Sequence, residues 1–172
     1  MEEKKQITKK SAEGKKPAEV KKAAVEEKPT GGQLAAIRVR GMISVRTKIS
    51  DPVEMLRLYK NNFCCVVPNT PLYVGMLKQT KDYITWGEID DETFKLLVEK
   101  RGEEFKGRET DSKKLIEYKT FIVINGKKIK PYFRLNAPRK GYGRKGVKTP
   151  FTTGGALGYR GAAINELIKR ML

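Results

Sequence analysis

The stretch NFCCVVPNTPLYVGMLKQTKDYITWGEI, residues 62–89, decides how this chain folds. Residues 62–67 form a short apolar run closed by Pro68 and read as a strand. Thr70-Pro71 then sets a capping residue before a proline at the first helical position, where the missing proline N–H costs nothing. Leu72, Tyr73, Met76 and Leu77 follow at helical spacing, and residues 83–89 return to a strand. Upstream, residues 37–46 alternate apolar and charged side chains around Gly41 and read as a further strand. Asp51-Pro52-Val53-Glu54 resembles a second helix start, with Met55, Leu56 and Tyr59 as its apolar face. Downstream, Asp90 or Asp91 opens a third helix through Phe94, Leu97 and Val98, and Gly102 stops it. The resulting β-α-β-α-β-α order has strands too short for a large doubly wound sheet. It predicts an α+β body with helices packed on one face of one small sheet.

Past Gly107 the pattern changes. Thr110-Asp111 caps a short helix through Leu115 and Ile116. Residues 121–124, Asn125-Gly126 and residues 127–135 predict a hairpin, because Asn-Gly favours the tight turn that joins antiparallel strands. Pro131 inside the second arm requires an edge or a break. Residues 137–161 are rich in Gly, Arg and Lys and show no period. Ile164, Leu167, Ile168 and Met171 then trace a helical stripe that should dock on the body and anchor the loop. The chain thus divides into an arm (1–34), a body (35–107) and an extension (108–172). The arm carries lysine pairs at Lys4-Lys5, Lys9-Lys10, Lys15-Lys16 and Lys21-Lys22 and almost nothing apolar, so it is expected to be disordered. It is either a solvated tail or a flexible basic arm that orders on RNA.

Composition restricts the function. The 172 residues hold 37 Lys and Arg against 20 Asp and Glu, a formal charge of +17, which points to a polyanionic partner. Histidine is absent, which removes Ser-His-Asp and Cys-His nucleophile pairs, His-ligated metals and imidazole acid–base chemistry. The only cysteines, Cys64 and Cys65, are adjacent and can supply neither a four-ligand zinc site nor a loop-closing disulfide. They read as reduced thiols of a core strand, in a reducing compartment. No window approaches the roughly 20 apolar residues of a membrane span, and no apolar segment follows the N-terminal lysines as a signal peptide requires. The excess charge is concentrated: residues 1–34 carry +3, residues 35–107 carry +2 and residues 108–172 carry +12. No acidic residue occurs from Tyr118 to Asn165. Such a one-signed run repels itself unless something negative lies against it.

No motif supports a cofactor or a small-molecule substrate. Gly141-Tyr142-Gly143-Arg144-Lys145-Gly146 fits G-x-G-x-x-G, but no strand precedes it and Pro150 follows closely, so its context is wrong for a dinucleotide. Asp90, Asp91 and Glu92 suit a helix N-terminus better than a magnesium site. The stronger candidate surface is the basic run Lys127, Lys128, Lys130, Arg134, Arg139, Lys140, Arg144, Lys145, Lys148 and Arg160. It is interleaved with Tyr132, Phe133, Tyr142, Phe151 and Tyr159. Cations, rings and flexible glycines together suit the phosphates and splayed bases of folded RNA, although some of the rings can equally pack into the body.

Several of these residues carry a family resemblance. Asn69-Thr70-Pro71 with Gly75-Met76, then Tyr83-Ile84-Thr85-Trp86-Gly87, then Lys100-Arg101-Gly102 lie in the body. Phe133-Arg134-Leu135, Pro138-Arg139, Phe151-x-x-Gly154-Gly155-x-x-Gly158-x-Arg160 and Ile164-Asn165-x-Leu167-Ile168-x-Arg170-Met171 close the chain. In this order they resemble the large-subunit ribosomal protein thirty family in its archaeal form, which is related to the eukaryotic large-subunit protein seven. The resemblance implies a small ferredoxin-like body, a basic C-terminal extension and a place in the cytoplasmic ribosome. It implies large-subunit ribosomal RNA as partner, with 5S RNA and other ribosomal proteins as neighbours, and no catalysis. It further implies that Arg46, Lys48, Arg57 and Lys60 face RNA, and that the helix start at Thr70 can take a phosphate. Lys140 stands where many relatives have Gly, and the arm lies outside the match. Two rivals are a general nucleic-acid-coating protein and an RNA-modifying enzyme with an unrecognised site. The irregular loop 137–161 is expected to order only against RNA.

Overall fold

The computed structural model describes residues 32–110, 118, 121–124 and 126–172. Most of the lysine-rich arm and the short helix expected after Thr110 lie outside the described residues. In chain order the elements are β1 (Gln33–Arg38), α1 (Thr47–Met55), β2 (Phe63–Pro68), α2 (Pro71–Gln79), β3 (Ile84–Ile89) and α3 (Asp91–Arg101). The extension adds β4 (Ile122–Ile124), β5 (Lys127–Ile129), β6 (Phe133–Arg134), β7 (Gly158–Tyr159) and α4 (Ala163–Met171).

The main sheet has the order β6-β2-β1-β3-β7, antiparallel except for the β3–β7 pair. β1 is central because Leu34, Ala35, Ala36 and Ile37 are all buried, and a strand buried on both faces reads as a continuous apolar run. The expected strand over residues 37–46 is therefore displaced toward the N-terminus. Past Arg38 the chain leaves the sheet, with the Val39 and Arg40 N–H groups both donating to the Tyr83 carbonyl. Leu34 and Ala36 face Val53, Leu56 and Leu77 of the α1–α2 side, together with Cys65, Ile84 and Trp86. Ala35 and Ile37 face Leu97 of α3 and the whole α4 stripe, together with Cys64 and Phe133.

The α+β class and the β-α-β-α-β order are as the sequence indicates. The helices differ in detail from the single-face arrangement: α1 and α2 share one face, whereas α3 joins α4 on the other. A central strand that is apolar on both sides needs cover on both.

Helix α2 begins at Pro71 with Thr70 as its N-cap, and α3 begins at Asp91 and ends at Gly102, as expected. Helix α1 does not start at Asp51. It starts a turn earlier, at Thr47, and carries Pro52 inside. Pro52 has no N–H for the carbonyl of Lys48 four residues back, and that carbonyl instead accepts a 2.6 Å bond from Gln79 Nε2 on α2. The shift rotates the helix, so Pro52, Val53 and Leu56 are buried while Met55 and Tyr59 are exposed.

Register places Ile124 opposite Lys127, which fits the two-residue turn, and Gly126 there takes φ +75°. Pro131 acts as a break: β5 stays in a two-stranded sheet with β4, and β6 crosses to pair with β2. Helix α4 forms as expected, with Ile164, Leu167, Ile168 and Met171 fully buried. Asn165 fixes its start, accepting from the Asp90 N–H at 3.1 Å and donating to the Glu88 carbonyl at 3.1 Å.

Cys64 and Cys65 are free and buried in β2, where burial raises the Cys64 thiol pKa and pushes that of Cys65 up to about 12. Both thiols should resist an aromatic disulfide reagent at pH 8 in the native protein and react once it is unfolded in urea. Leu167→Ala should cost about 2–5 kcal/mol in urea unfolding, because a buried leucine is replaced by a cavity beside the central strand.

Candidate nucleic-acid interface

The strand directions bring the basic elements to one end of the sheet. β1 finishes there, β2 and β3 start there, β6 finishes there on one edge, and β7 starts there on the other. The segment 135–157 must therefore cross that end from edge to edge. Helix α2 runs from the end of β2 to the start of β3 and so points its C-terminus the same way. Helix α4 carries Asn165 in its first turn beside Glu88 and finishes where the Met171 carbonyl accepts from the Asn136 N–H. Helix α3 finishes beside it, with Arg101 Nη2 donating to the Leu172 carbonyl at 3.0 Å. The negative ends of three helix dipoles thus converge on the end of the sheet crossed by the basic loop, which favours cations there.

The opposite end holds Glu88, Asp90, Asp91 and Glu92, whereas Glu166 of α4 reaches toward the loop end and pairs with Arg170 at 3.7 Å. The helix start at Thr70, suggested as a phosphate site, also lies at that far end and is not joined to the basic loop.

The loop has its own internal structure. Thr149 O accepts from the N–H groups of Ala156 and Leu157, Pro150 O accepts from Gly155 N–H, and Gly154 O accepts from Lys145 N–H. Gly155 is required by close approach, because a Cβ there would lie 2.1 Å from Thr149 Oγ1. Ala156 and Leu157 are buried against Val39, and Tyr142 packs beside them. The Tyr142 hydroxyl bonds to Asn62 Oδ1, and burial pushes its pKa up to about 12. In this structure the loop, expected to order only on RNA, is held against the body by backbone bonds and a small apolar cluster of its own.

Arg160 is central to this. Its side chain is buried rather than displayed. Nη2 donates to the carbonyls of Ala156 (3.1 Å) and Tyr142 (3.3 Å), Nε donates to Thr85 Oγ1 (3.3 Å), and the guanidinium lies 4.4 Å from the Phe151 ring centroid. Burial and the nearby Arg170 lower its pKa. Arg160 thereby supports the loop from within and is removed from the exposed set.

The other expected residues divide into groups. Arg139, Lys140, Arg144, Lys145 and Lys148 are exposed along the loop and make no ion pair among the described residues. Arg46, Lys48 and Lys60 are exposed, and Arg57 half-buried, in the β1–β2 connection, which leaves and re-enters the sheet at the same end. Lys128 is paired with Glu109 at 2.6 Å, Lys130 with Glu103 at 2.6 Å, and Arg134 with Glu103 at 3.3 Å. These three cations are locally matched, and Lys127 stands beside a groove of about 830 Å³ between α3 and the β4–β5 hairpin.

Four basic positions were missed by the sequence reading. Lys81 shares a depression with Lys148, and Arg40 Nη1 donates to the neighbouring Asp82 carbonyl. Arg170 Nη1 donates to the carbonyls of Arg139 and Gly141, with Lys169 beside it in the last turn of α4. The basic last turns were visible in the sequence, but their meeting with the loop depends on topology.

Comparison with known proteins gives consistent matches. The family model described as Ribosomal protein L30p/L7e matches residues 34–84. The large ribosomal subunit protein uL30 of Methanopyrus kandleri is 41% identical over 149 residues, covering 78% of this chain and 100% of the relative. The uL30 proteins of Methanococcus maripaludis and Nanoarchaeum equitans are 45% and 44% identical, each over 80% of this chain and 98% and 97% of their own lengths. Alignments of this length take in the extension as well as the body.

Arg160→Met should leave the carbonyls of Tyr142 and Ala156 unsatisfied and cost about 2–4 kcal/mol of stability. Amide hydrogen exchange at Ala156 and Leu157 should accelerate with it. Lys145→Gln, at an exposed position, should change stability by no more than about 0.5 kcal/mol.

Proposed function

The chain belongs to the uL30 family of large-ribosomal-subunit proteins, and we propose that within the subunit it holds folded ribosomal RNA by neutralising phosphates along the loop end of its sheet. It is a structural constituent of the subunit, not an enzyme. The observation that carries the RNA reading is the convergence of exposed cations from the loop, the β1–β2 connection and the last turn of α4. Arg139, Lys140, Arg144, Lys145 and Lys148 are held on a backbone that is already folded, so little ordering entropy is lost when phosphates arrive. Arg170 and Lys169 extend the surface on one side, and Lys81 and Arg40 extend it on the other. The partner we infer is large-subunit ribosomal RNA, with 5S RNA as a neighbour to be sought by crosslinking.

Phosphate neutralisation has a salt signature, because each neutralised phosphate releases condensed counterions. With roughly 6–10 phosphates engaged, affinity for large-subunit ribosomal RNA should fall by about a thousandfold or more between 50 and 200 mM salt. Neutralising Arg139, Lys140, Arg144 and Lys145 together, as glutamines, should flatten that slope and weaken incorporation into the subunit without changing the thermal midpoint of the free protein. An unchanged slope in this variant would place the RNA elsewhere. Equal affinity for arbitrary duplexes would instead favour a general coating protein.

A further inference from the structure

We propose that the pocket beneath Tyr59 receives one unstacked nucleobase of RNA. The proposal rests on the RNA-binding reading above and adds a base site beside its phosphate surface.

The β1–β2 connection is built to display Tyr59. Among the described residues other than glycine, positive φ occurs only at Ser44, Arg57, Asn62 and Lys140, and three of the four lie in this connection. Arg57, at φ +59°, adopts a conformation that a Cβ disfavours. Such outliers persist where surrounding structure over-determines them, and they gather at binding sites. Here the determining group is Arg38. Its buried guanidinium donates to the Leu58 carbonyl at 2.9 Å and to the Tyr59 carbonyl, while Nε donates to the Arg40 carbonyl at 3.0 Å. The clamp turns Leu58 fully inward and leaves Tyr59 53% exposed.

The Tyr59 ring is braced but not covered. It meets Tyr132 edge to face, with centroids 6.2 Å apart, and Tyr132 in turn stacks on Phe63 at 5.1 Å. Beside it lies a pocket of about 180 Å³ lined by Met42, Ser50, Glu54 and the Arg38 side chain, over Val53 and Leu58, which are themselves buried. Glu54 is exposed and makes no ion pair among the described residues. A carboxylate on an RNA-facing surface is repelled by phosphate unless it accepts N–H groups, and the edge of a base supplies them. An exposed aromatic face, the thioether of half-buried Met42 beside it and the exposed acceptor of Glu54 are what an unstacked base needs. The flanking cations Arg46, Lys48 and Lys60 suit the phosphates on either side of it.

The test uses the full-length chain and protein-free large-subunit ribosomal RNA of Methanococcus maripaludis. Tyr59→Ala should weaken binding by about fivefold to a hundredfold at fixed salt, the range for loss of one base–aromatic stack. The salt slope should be unchanged, since stacking releases no counterions. Tyr59→Phe should bind within about twofold of the parent, and ultraviolet crosslinking should join the Tyr59 peptide to RNA. Tyr59→Leu, which keeps apolar bulk against Tyr132, guards against a folding defect and should lose affinity as the alanine variant does. Parent-like binding by Tyr59→Ala or Tyr59→Leu, alongside a steep salt slope, overturns the base site and leaves the phosphate reading intact. Parent-like RNA binding with impaired subunit assembly also overturns it and assigns the surface to a protein neighbour. A flat salt slope in the parent overturns the phosphate reading instead, whatever the Tyr59 variants do.

Discussion

The buried cation Arg160 allows the exposed ones to be arrayed. The Arg160 guanidinium reaches a carbonyl near the start of the loop, at Tyr142, and another near its end, at Ala156, and it also touches Thr85 on β3. A loop joining strands on opposite edges of a sheet would otherwise be a long tether with many open conformations. Drawing its two limbs to one planar group, with Phe151 against the guanidinium face, closes it into a folded layer. Lysine could not do this, since one ammonium lacks the fixed fork of donors that spans three acceptors. The charge is buried at a desolvation cost, and the hydrogen bonds to otherwise unpaired carbonyls offset it.

The surface that results would repel itself in isolation. Five loop cations face solvent with no acidic residue among them, and Lys81, Lys169 and Arg170 lie alongside. One feature of the fold reduces the cost. The C-termini of α2, α3 and α4 point toward this end, where their partial negative charge favours cations. The acidic residues Glu88, Asp90, Asp91 and Glu92 are kept at the other end, near the dipole-positive starts of α3 and α4. The loop is therefore strongly positive, with Asp51, Glu54, Asp82 and Glu103 offsetting only part of the charge on its side. Such a field orients a protein as it approaches a polyanion, before any contact is made.

Much of this was legible in the sequence, and the exceptions have definable causes. Thr70-Pro71, Asp90 with Gly102, Asn125-Gly126 and the α4 stripe are local signals, and each marks an element where it was expected. β1 was misplaced because alternation marks a half-buried strand, whereas Leu34-Ala35-Ala36-Ile37 is covered on both sides. Helix α1 was started late because Asp51-Pro52 imitates a cap, and the side chain that makes an internal proline tolerable, Gln79, lies on another helix. Arg160 was grouped with the surface cations by its neighbours in the chain, though its environment is Thr85, Tyr142 and Phe151. Lys128, Lys130 and Arg134 belonged to an acid-free run in sequence, but in space Glu103 and Glu109 stand against them. A run of one sign along a chain is thus not the same as a patch of one sign on a surface.

That distinction bears on how stability and strain are divided. The two apolar layers on either side of β1 and the α4 stripe contain the deeply buried side chains, whereas the residues forced into left-handed backbone, Ser44, Arg57, Asn62 and Lys140, gather at the end where the loop crosses. Arg57 and Asn62 are tied to the rigid part by bonds to their own backbone or their neighbours. Asn62 O accepts from Leu135 N–H and Arg57 N–H donates to Glu54 O, while Arg38 fixes the carbonyls that follow Arg57. Strain of this kind costs of order 1–3 kcal/mol per residue and survives only where the scaffold has stability to spare. A protein whose task is to meet an irregular RNA surface gains from that division: the layers around β1 set position, and the strained end supplies a shape that regular helices and strands do not offer.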